Sequence, residues 1–588
     1  VVHLLDVQGK AWLARKIAKH NPCPMSHHDH GFLKSRRREG AMLCQNNSLW
    51  RTNRMGRSAV LNNADMSNAF GSSSWEALDE VVDHDLLDPE DTAFGKQRYR
   101  WACVELRCSD GPLLLRIQCG SLMGDPFAVA SFGRVFHKPV LQWNLSHFGL
   151  FGTDALALGC IAPMAVKGVL ERVDLSLSKY ADDIVKLVIG EKDGRVEELA
   201  ARSAESLASL DTELETVGFA QNRKKLVGIL SLHGKGSRID IRKIKSGEVV
   251  FPGRICRSTR SLGCILNYTG SFTSERPKRI EAARAAFRLV GTFWTMPRIP
   301  WKYKRAMFIC RVQNSALSGI EAFCPTLADY EVLDCAVASV GRLALRGKAC
   351  KKDEAGNVVA KMTTRKVLKE WGIAGCFVEA RVRRLGWYQC LAANLSDSIQ
   401  VLCCLFGTTF GERDEPSWKC MLEDGRVGPG ANPWTAQFVD DLLSLGVLEA
   451  AENFLLDLDG RFLLIFSDEQ WTEDFLKIDV TELRVREVRV AIAAEAEFEE
   501  CDAVEEDVQL LTNLDSGLRC GIENCGSVFD SKQKLQLHMR TVHNVRCLSF
   551  LATVTNQCFF CLNVFSSRLV AKRHVSNTIS KGVCKMDM

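Results

Sequence analysis

Short runs of alternating apolar and polar residues, interleaved with stretches of helical period, fill residues 61–270. That pattern predicts a mixed sheet covered by helices. Val185-Lys186-Leu187-Val188-Ile189 has strand character. Glu197 to Val217 carries an apolar stripe at Leu199, Leu207, Leu210 and Leu214, which predicts a helix. From residue 271 the spacing turns helical, in one block to 350 and a second from 351 to 424. The Gly/Pro-rich stretch Gly425 to Trp434 reads as a linker, and 435–494 as a small, mostly helical unit. An acidic spacer spans 495–515: eight of the thirteen residues from Glu495 to Asp507 are acids and none is basic.

At 588 residues, with 46% hydrophobic and 25% charged, the chain is expected to fold around several cores and to be soluble. No apolar run approaches the roughly 18 residues that span a bilayer. The opening Val1-Val2-His3-Leu4-Leu5-Asp6 lacks the layout of a secretory signal, so no membrane or secretory role is expected. The 24 cysteines are scattered rather than framed as a disulfide scaffold, which fits an intracellular protein with reduced thiols. A net charge of +5 is too small to make the whole chain a polyanion binder. Any nucleic-acid surface must come from local patches. Lys34-Ser35-Arg36-Arg37-Arg38 is one, and the run from Arg276 through Lys278, Arg279, Arg284, Arg288, Arg298, Lys302, Lys304 and Arg305 to Arg311 is a longer one.

The chemistry-bearing pattern is Tyr180-Ala181-Asp182-Asp183, a tight turn ahead of a strand. Nucleotide addition uses two divalent cations ~4 Å apart, and hard Mg²⁺ prefers carboxylate oxygens, so adjacent acids in a turn suit one metal pair. A lone Asp-Asp turn is equally compatible with a solvated loop. Four further segments stand in order around it: Ala64-Asp65-Met66-Ser67-Asn68-Ala69-Phe70, Gly120-Ser121-Leu122-Met123-Gly124-Asp125-Pro126-Phe127, Gly218-Phe219-Ala220-Gln221-Asn222-Arg223-Lys224-Lys225, and Ser261-Leu262-Gly263-Cys264-Ile265-Leu266. Together the five segments resemble the palm of reverse transcriptases, most closely the non-LTR (LINE-type) retroelement enzymes.

By that resemblance Asp65, Asp182 and Asp183 hold two Mg²⁺ or Mn²⁺ ions. Phe70 is the steric gate under the sugar, Tyr180 lies beside the nucleotide, and Gly124, Asp125 and Pro126 contact template and incoming nucleotide. Lys225 donates a proton to the departing pyrophosphate or neutralises it, and the strand around Cys264 grips the primer end. Met123 departs from the family, which usually has Gln there. The basic helical block resembles the thumb, with Ile280, Ala283, Phe287 and Trp294. Lys366-Val367-Leu368 and Arg381-Val382-Arg383-Arg384-Leu385-Gly386-Trp387 resemble the post-thumb segment.

Residues 1–60 read as part of the fingers, with Gly31 to Gly40 as the end of that region, and the chain as N-terminally truncated. Arg36 and Arg37 there either touch template or triphosphate or form a plain basic surface. Cys23, His27, His28, Asp29 and His30 match no tetrahedral spacing and read as a polar loop.

Near the C-terminus, Cys520-x4-Cys525-x12-His538-x4-His543 has the spacing of a ββα zinc finger over residues 516–546. Phe529 and Leu535 supply its small core, and Zn²⁺ contributes much of the folding free energy, ~10–16 kcal/mol in isolated fingers. A second unit over 555–588 offers Cys558, Cys561 and His574, with Cys584 as a displaced fourth ligand; it is either a second Zn²⁺ site or a degenerate finger. The first finger is open to RNA capture, target-DNA docking or protein contact.

The expected fold is therefore α+β: a right-hand polymerase palm over 61–270, a helical thumb over 271–350, a helical C-terminal region and small zinc fingers. The expected function is RNA-directed DNA polymerisation, with RNA template, DNA primer or target and dNTPs as partners and the nucleus as its place of work. A decayed polymerase fold that acts only as a zinc-finger nucleic-acid-binding protein is the alternative. Oligomeric state is left open.

Overall fold

In the computed structural model, the residues described are 25–31, 33, 35–86, 88–109, 111–120, 126–151, 160–161, 172–191, 194–234, 236–354, 358–406, 432–446, 455–458, 461–464, 469–486, 489, 518–519 and 528–529. The chain forms two compact units, Val1–Ala494 and Glu495–Met588. In the second, Leu518–Arg519 pairs antiparallel with Val528–Phe529. All eight expected zinc ligands lie outside the described residues.

The first unit is organised by a five-stranded mixed sheet. Its strands are β1 (Ala59–Ala64), β2 (Leu177–Tyr180), β3 (Asp183–Ile189), β4 (Val227–Ser231) and β5 (Arg254–Cys256), in the spatial order β2-β3-β1-β4-β5. Only the β4–β5 pair is parallel. β1 is central and almost wholly buried, which suits its small and apolar residues. The period of two sorts its neighbours cleanly. Leu61, Val185 and Leu187 join one core, while Ala64 and Ile184 join a second and Val60 and Val188 a third on the other face.

Helices cover both faces: α1 (Arg38–Met55), α2 (Pro126–Phe151), α3 (Val196–Glu215), α4 (Glu275–Val290), α5 (Trp301–Met307), α6 (Leu327–Leu345), α7 (Cys376–Ala392), α8 (Ile399–Phe406) and α9 (Pro433–Ser444). The stripe expected between Glu197 and Val217 is α3, with Leu199, Leu207, Leu210 and Leu214 buried. α1 departs from its sequence pattern. It is nearly all buried although it is polar, because its side chains find partners inside. Ser48 donates to the Leu175 carbonyl at 2.7 Å, and Arg51 reaches Asn47 Oδ1 and the carbonyls of Cys403 and Cys404 in α8.

Residues 432–434 also differ from their expected linker character; the rest of that stretch lies outside the described residues. Asn432 and Trp434 are buried. Asn432 caps α9 and donates to the Cys404 carbonyl at 2.7 Å. A β-hairpin, Leu455–Leu458 with Arg461–Leu464, stands in the stretch read as mostly helical. α9 is fixed to α7 by a buried ion pair. Arg384 donates through Nε and Nη2 to the Asp441 carboxylate at 2.5 and 2.7 Å, and through Nη1 to Tyr330 at 2.8 Å.

Asp441→Ala would leave the Arg384 charge buried without its counter-charge. The expected loss of stability is roughly 3–5 kcal/mol in denaturant unfolding. A loss under about 1 kcal/mol would show that water or another acid reaches Arg384.

Candidate functional site

The register of the sheet assembles the site. Ala64 at the end of β1 faces Ile184 on β3, so the next residue, Asp65, comes opposite Asp183. On the other side Asn63 faces Val227, and two further steps bring Asp65 opposite Lys225. Backbone hydrogen bonds hold that extension: Ser67 N donates to Ala220 O at 2.9 Å, and Asn222 N to Asp65 O at 2.8 Å. β2 and β3 form a hairpin in which Tyr180 pairs with Asp183, leaving Ala181 and Asp182 as its two-residue turn. Ala181 has φ 56°, an uncommon conformation for a residue with a side chain. Asp65, Asp182 and Asp183 are thus gathered at one end of the sheet, with Lys225 beside them.

The electrostatics agree with that geometry. Burial pushes the Asp183 carboxyl up to about 6, and the charges of Asp182 and Asp65 add to the effect. Asp182 is raised by burial and by Asp65. Lys225 Nζ lies 2.5 Å from Asp65 Oδ2, and this bond raises the ammonium pKa. Among the described residues no group of three or more His, Cys, Asp or Glu side chains is placed to hold a metal ion. Mg²⁺ commonly takes only one or two carboxylates and completes its shell with phosphates and water.

Three glycines allow the surrounding segments to close in. A Cβ on Gly120, at φ 74°, would lie 2.4 Å from the Phe70 carbonyl oxygen; one on Gly218, at φ 83°, would lie 2.7 Å from that of Ser72. The segments that begin at Gly120 and Gly218 therefore both meet the turn after Asp65. Phe70 is half-buried there, its ring 4.6 Å from that of Phe132 on α2. Pro126 opens α2, whereas Gly124 and Asp125, with Met123, lie outside the described residues. Tyr180 is half-buried at the end of β2.

Arg36 and Arg37 separate. Arg36 turns inward, its side chain 7% exposed, and donates to the carbonyls of Ser26 and Asp29. Arg37, at the start of α1, is exposed.

The third glycine is Gly31, which belongs to a feature not legible in the sequence. A Cβ on Gly31 would lie 2.2 Å from the Ala181 nitrogen, so the front segment backs directly onto the Tyr180–Asp183 turn. His28, Asp29 and His30 are buried and not a solvated polar loop. They run beside β2: His30 N donates to Lys179 O at 2.8 Å, and Lys179 N to His28 O at 2.9 Å. Asp29 forms an ion pair with Lys179 and a hydrogen bond, at 2.7 Å, with His137, whose pKa burial lowers. Gln400 ties the far side, accepting from His30 Nε2 at 2.8 Å and donating to Leu177 O at 2.7 Å. The one sequence signal was a run of polar residues followed by a glycine. Nothing in it pointed to Gln400.

No family model matches the chain, and no curated protein matches it. Solved structures of telomerase are similar to parts of it. Telomerase from Candida albicans, in complex with a fragment of telomeric RNA, is 10% identical over 51% of this chain and 50% of that one, with a TM-score of 0.31. Apo telomerase from Candida tropicalis is 11% identical over 67% of this chain and 55% of that one, also at 0.31. The chain spans about half the length of the telomerase chains it matches. A likeness of that size carries no argument about this chain, and the site rests on its own residues.

The crowding of acids has a measurable sign. With its pKa raised to about 6, Asp183 binds a proton more tightly in the folded chain than in the unfolded one, where a value near 4 is ordinary. That contribution to stability is fully present below about pH 4 and is lost as pH rises through about 6. In chelator at pH 7.5, Asp183→Asn should therefore be more stable than the wild type, on the order of 1–2 kcal/mol after screening at this part-exposed site. The two should converge by pH 4. A wild type that is the more stable at pH 7.5 would contradict the crowding.

Proposed function

We propose that this chain is an RNA-directed DNA polymerase of a non-LTR retroelement, extending a primer with dNTPs by two-metal catalysis. The observation that carries the reading is the convergence of Asp65, Asp182 and Asp183 beside Lys225 through the register of β1 with β3 and β4. Three hard carboxylates share one sheet end, the donor type that Mg²⁺ prefers, and their mutual repulsion contributes to the raised Asp183 pKa. Mg²⁺ or Mn²⁺ held there would activate the attacking 3′-oxygen and stabilise the leaving pyrophosphate.

The chain's own residues supply the rest. If Asp65 helped to hold a cation it would give up its bond to Lys225, whose ammonium would then be free to meet the pyrophosphate and hold a proton at its oxygen. Phe70, braced by Phe132, would restrict the sugar. Tyr180 would line the nucleotide. The exposed bases of the thumb-like block suit the phosphates of an RNA–DNA duplex without reading its sequence. A finger at Cys520, Cys525, His538 and His543 would tether RNA template or target DNA, and the nucleus is where such DNA would be met.

A second reading, a polymerase fold that has lost catalysis and works through its zinc finger, draws on Met123 and on the occupation of Asp65 by Lys225. One assay separates the two. Purified chain, a DNA primer annealed to an RNA template, dNTPs and Mg²⁺ or Mn²⁺ should give extension, and Asp182→Asn should reduce it ~10²-fold or more. Absence of extension, or extension untouched by that substitution, would remove the enzyme reading. Zinc is tested separately by elemental analysis. Cys520→Ser should lower the zinc content by about one equivalent per chain; an unchanged content would remove the finger.

A further inference from the structure

A cleft of about 500 Å³ opens on the thumb-like block, apart from the acidic site. One wall is the stripe Tyr303, Met307 and Cys310, spaced to share one face of α5 and the turn that continues it. Facing it are Phe293, Ile299 and Pro300, with Arg298 at the cleft. Tyr303 is 56% exposed although it sits among apolar walls. Large apolar surface left open in this way marks a binding site more often than chance.

The walls are braced. Phe293 packs its edge on Trp294, which stacks on Phe287 at 5.1 Å. Behind α5, Trp301 lies 4.4 Å from the buried Trp371, itself stacked on Phe308 at 4.1 Å. A second, smaller cleft of about 370 Å³ runs along the other side of α5, past Trp301, Lys302 and Arg305. Tyr303 thus belongs to a supported platform and not to a loose loop.

Charge identifies the occupant. Along the sequence between Glu281 and Glu321 there is no acid, while Arg284, Arg288, Arg298, Lys302, Lys304, Arg305 and Arg311 are all basic; Glu281 pairs with Arg288, and Glu370 borders the second cleft. Lys302 Nζ lies over the Tyr303 ring, 5.2 Å from its centroid, so positive charge meets one face of the aromatic and the other is left for a base. An apolar peptide would account for the walls but not for seven bases without an acid. A phosphate backbone alone would account for the bases but not for an open aromatic slot. Unpaired nucleotides need both, because each presents a flat apolar base next to an anionic phosphate.

We propose that this cleft binds single-stranded nucleic acid, an unpaired base stacking on Tyr303 against the Phe293–Pro300 wall while Arg298 and Lys302 meet the flanking phosphates. It does not depend on the chain being a polymerase. A strand leaving a duplex, whether template or displaced target, has the required chemistry.

The test is equilibrium binding with the full chain, without dNTPs or Mg²⁺, followed by fluorescence anisotropy. The probes are a labelled oligothymidylate, an abasic strand of the same length and charge, and a duplex. Wild type should bind the oligothymidylate about 5-fold or more tightly than the abasic strand, since one base–aromatic stack is worth ~1–3 kcal/mol. Tyr303→Ala should abolish that preference and leave duplex affinity unchanged. Tyr303→Trp should keep it, which a merely structural role for the hydroxyl would not. Lys302→Ala should weaken both single strands alike and lower the salt slope by about one. Retention of the preference in Tyr303→Ala, or its absence in the wild type, overturns the proposal. So does an unchanged oligonucleotide affinity accompanied by altered self-association in gel filtration, which would assign the cleft to a second copy of the chain.

Discussion

Everything at the acidic site depends on the alignment of one strand. β1 lies between β3 and β4, and its last residues place Asp65 level with Asp183 on one side and Lys225 on the other. A slip of one residue would send every side chain of β1 to the opposite face and separate those three groups. The slip is resisted from both faces at once. Leu61 is packed against α1, Val60 belongs to the core that α3 closes, and Asn62 donates to Ser203 of α3 at 3.0 Å. The burial that stabilises the strand is therefore also what aims the carboxylates.

Much of this was legible from residues alone. The apolar run of β3 and the period-3.6 stripe of α3 were readable, because β3 is buried on both faces and α3 buries one apolar stripe. The acids were found through their spacing and order, and their convergence follows from register, which no single segment contains. The failures have a common cause. α1, the loop His28–His30 and the Asn432–Trp434 segment are polar yet buried, and each is satisfied by partners far away in the chain. Hydrophobic periodicity cannot see a side chain whose burial is balanced by a distant carbonyl. Arg36 illustrates the point. It reads as a surface base, but the carbonyls of Ser26 and Asp29 draw it inward, leaving Arg37 outside.

The total charge is similarly uninformative beside its distribution. The net +5 conceals an acid-rich segment near residue 500 and an acid-free basic one around residue 300. The second coincides with exposed aromatics on a braced helix, the first with a stretch of almost no basic residues. Polyanion affinity, where it exists, is a local property of the fold and not of the composition.

Gln400 adds a consequence in time. Its amide joins His30, 370 residues earlier, to the strand that leads into the acidic turn. Contacts of such sequence separation form late, since the chain between them must be ordered first. On the ribosome, the acids and Lys225 would emerge well before residue 400 does. The turn therefore spends part of its synthesis without the backing it has in the finished fold. A nascent chain cut short in the post-thumb helices, before residue 400, would hold Asp65, Asp182 and Asp183 and still lack the buried side-chain bridge that joins the front segment to the strand before the turn.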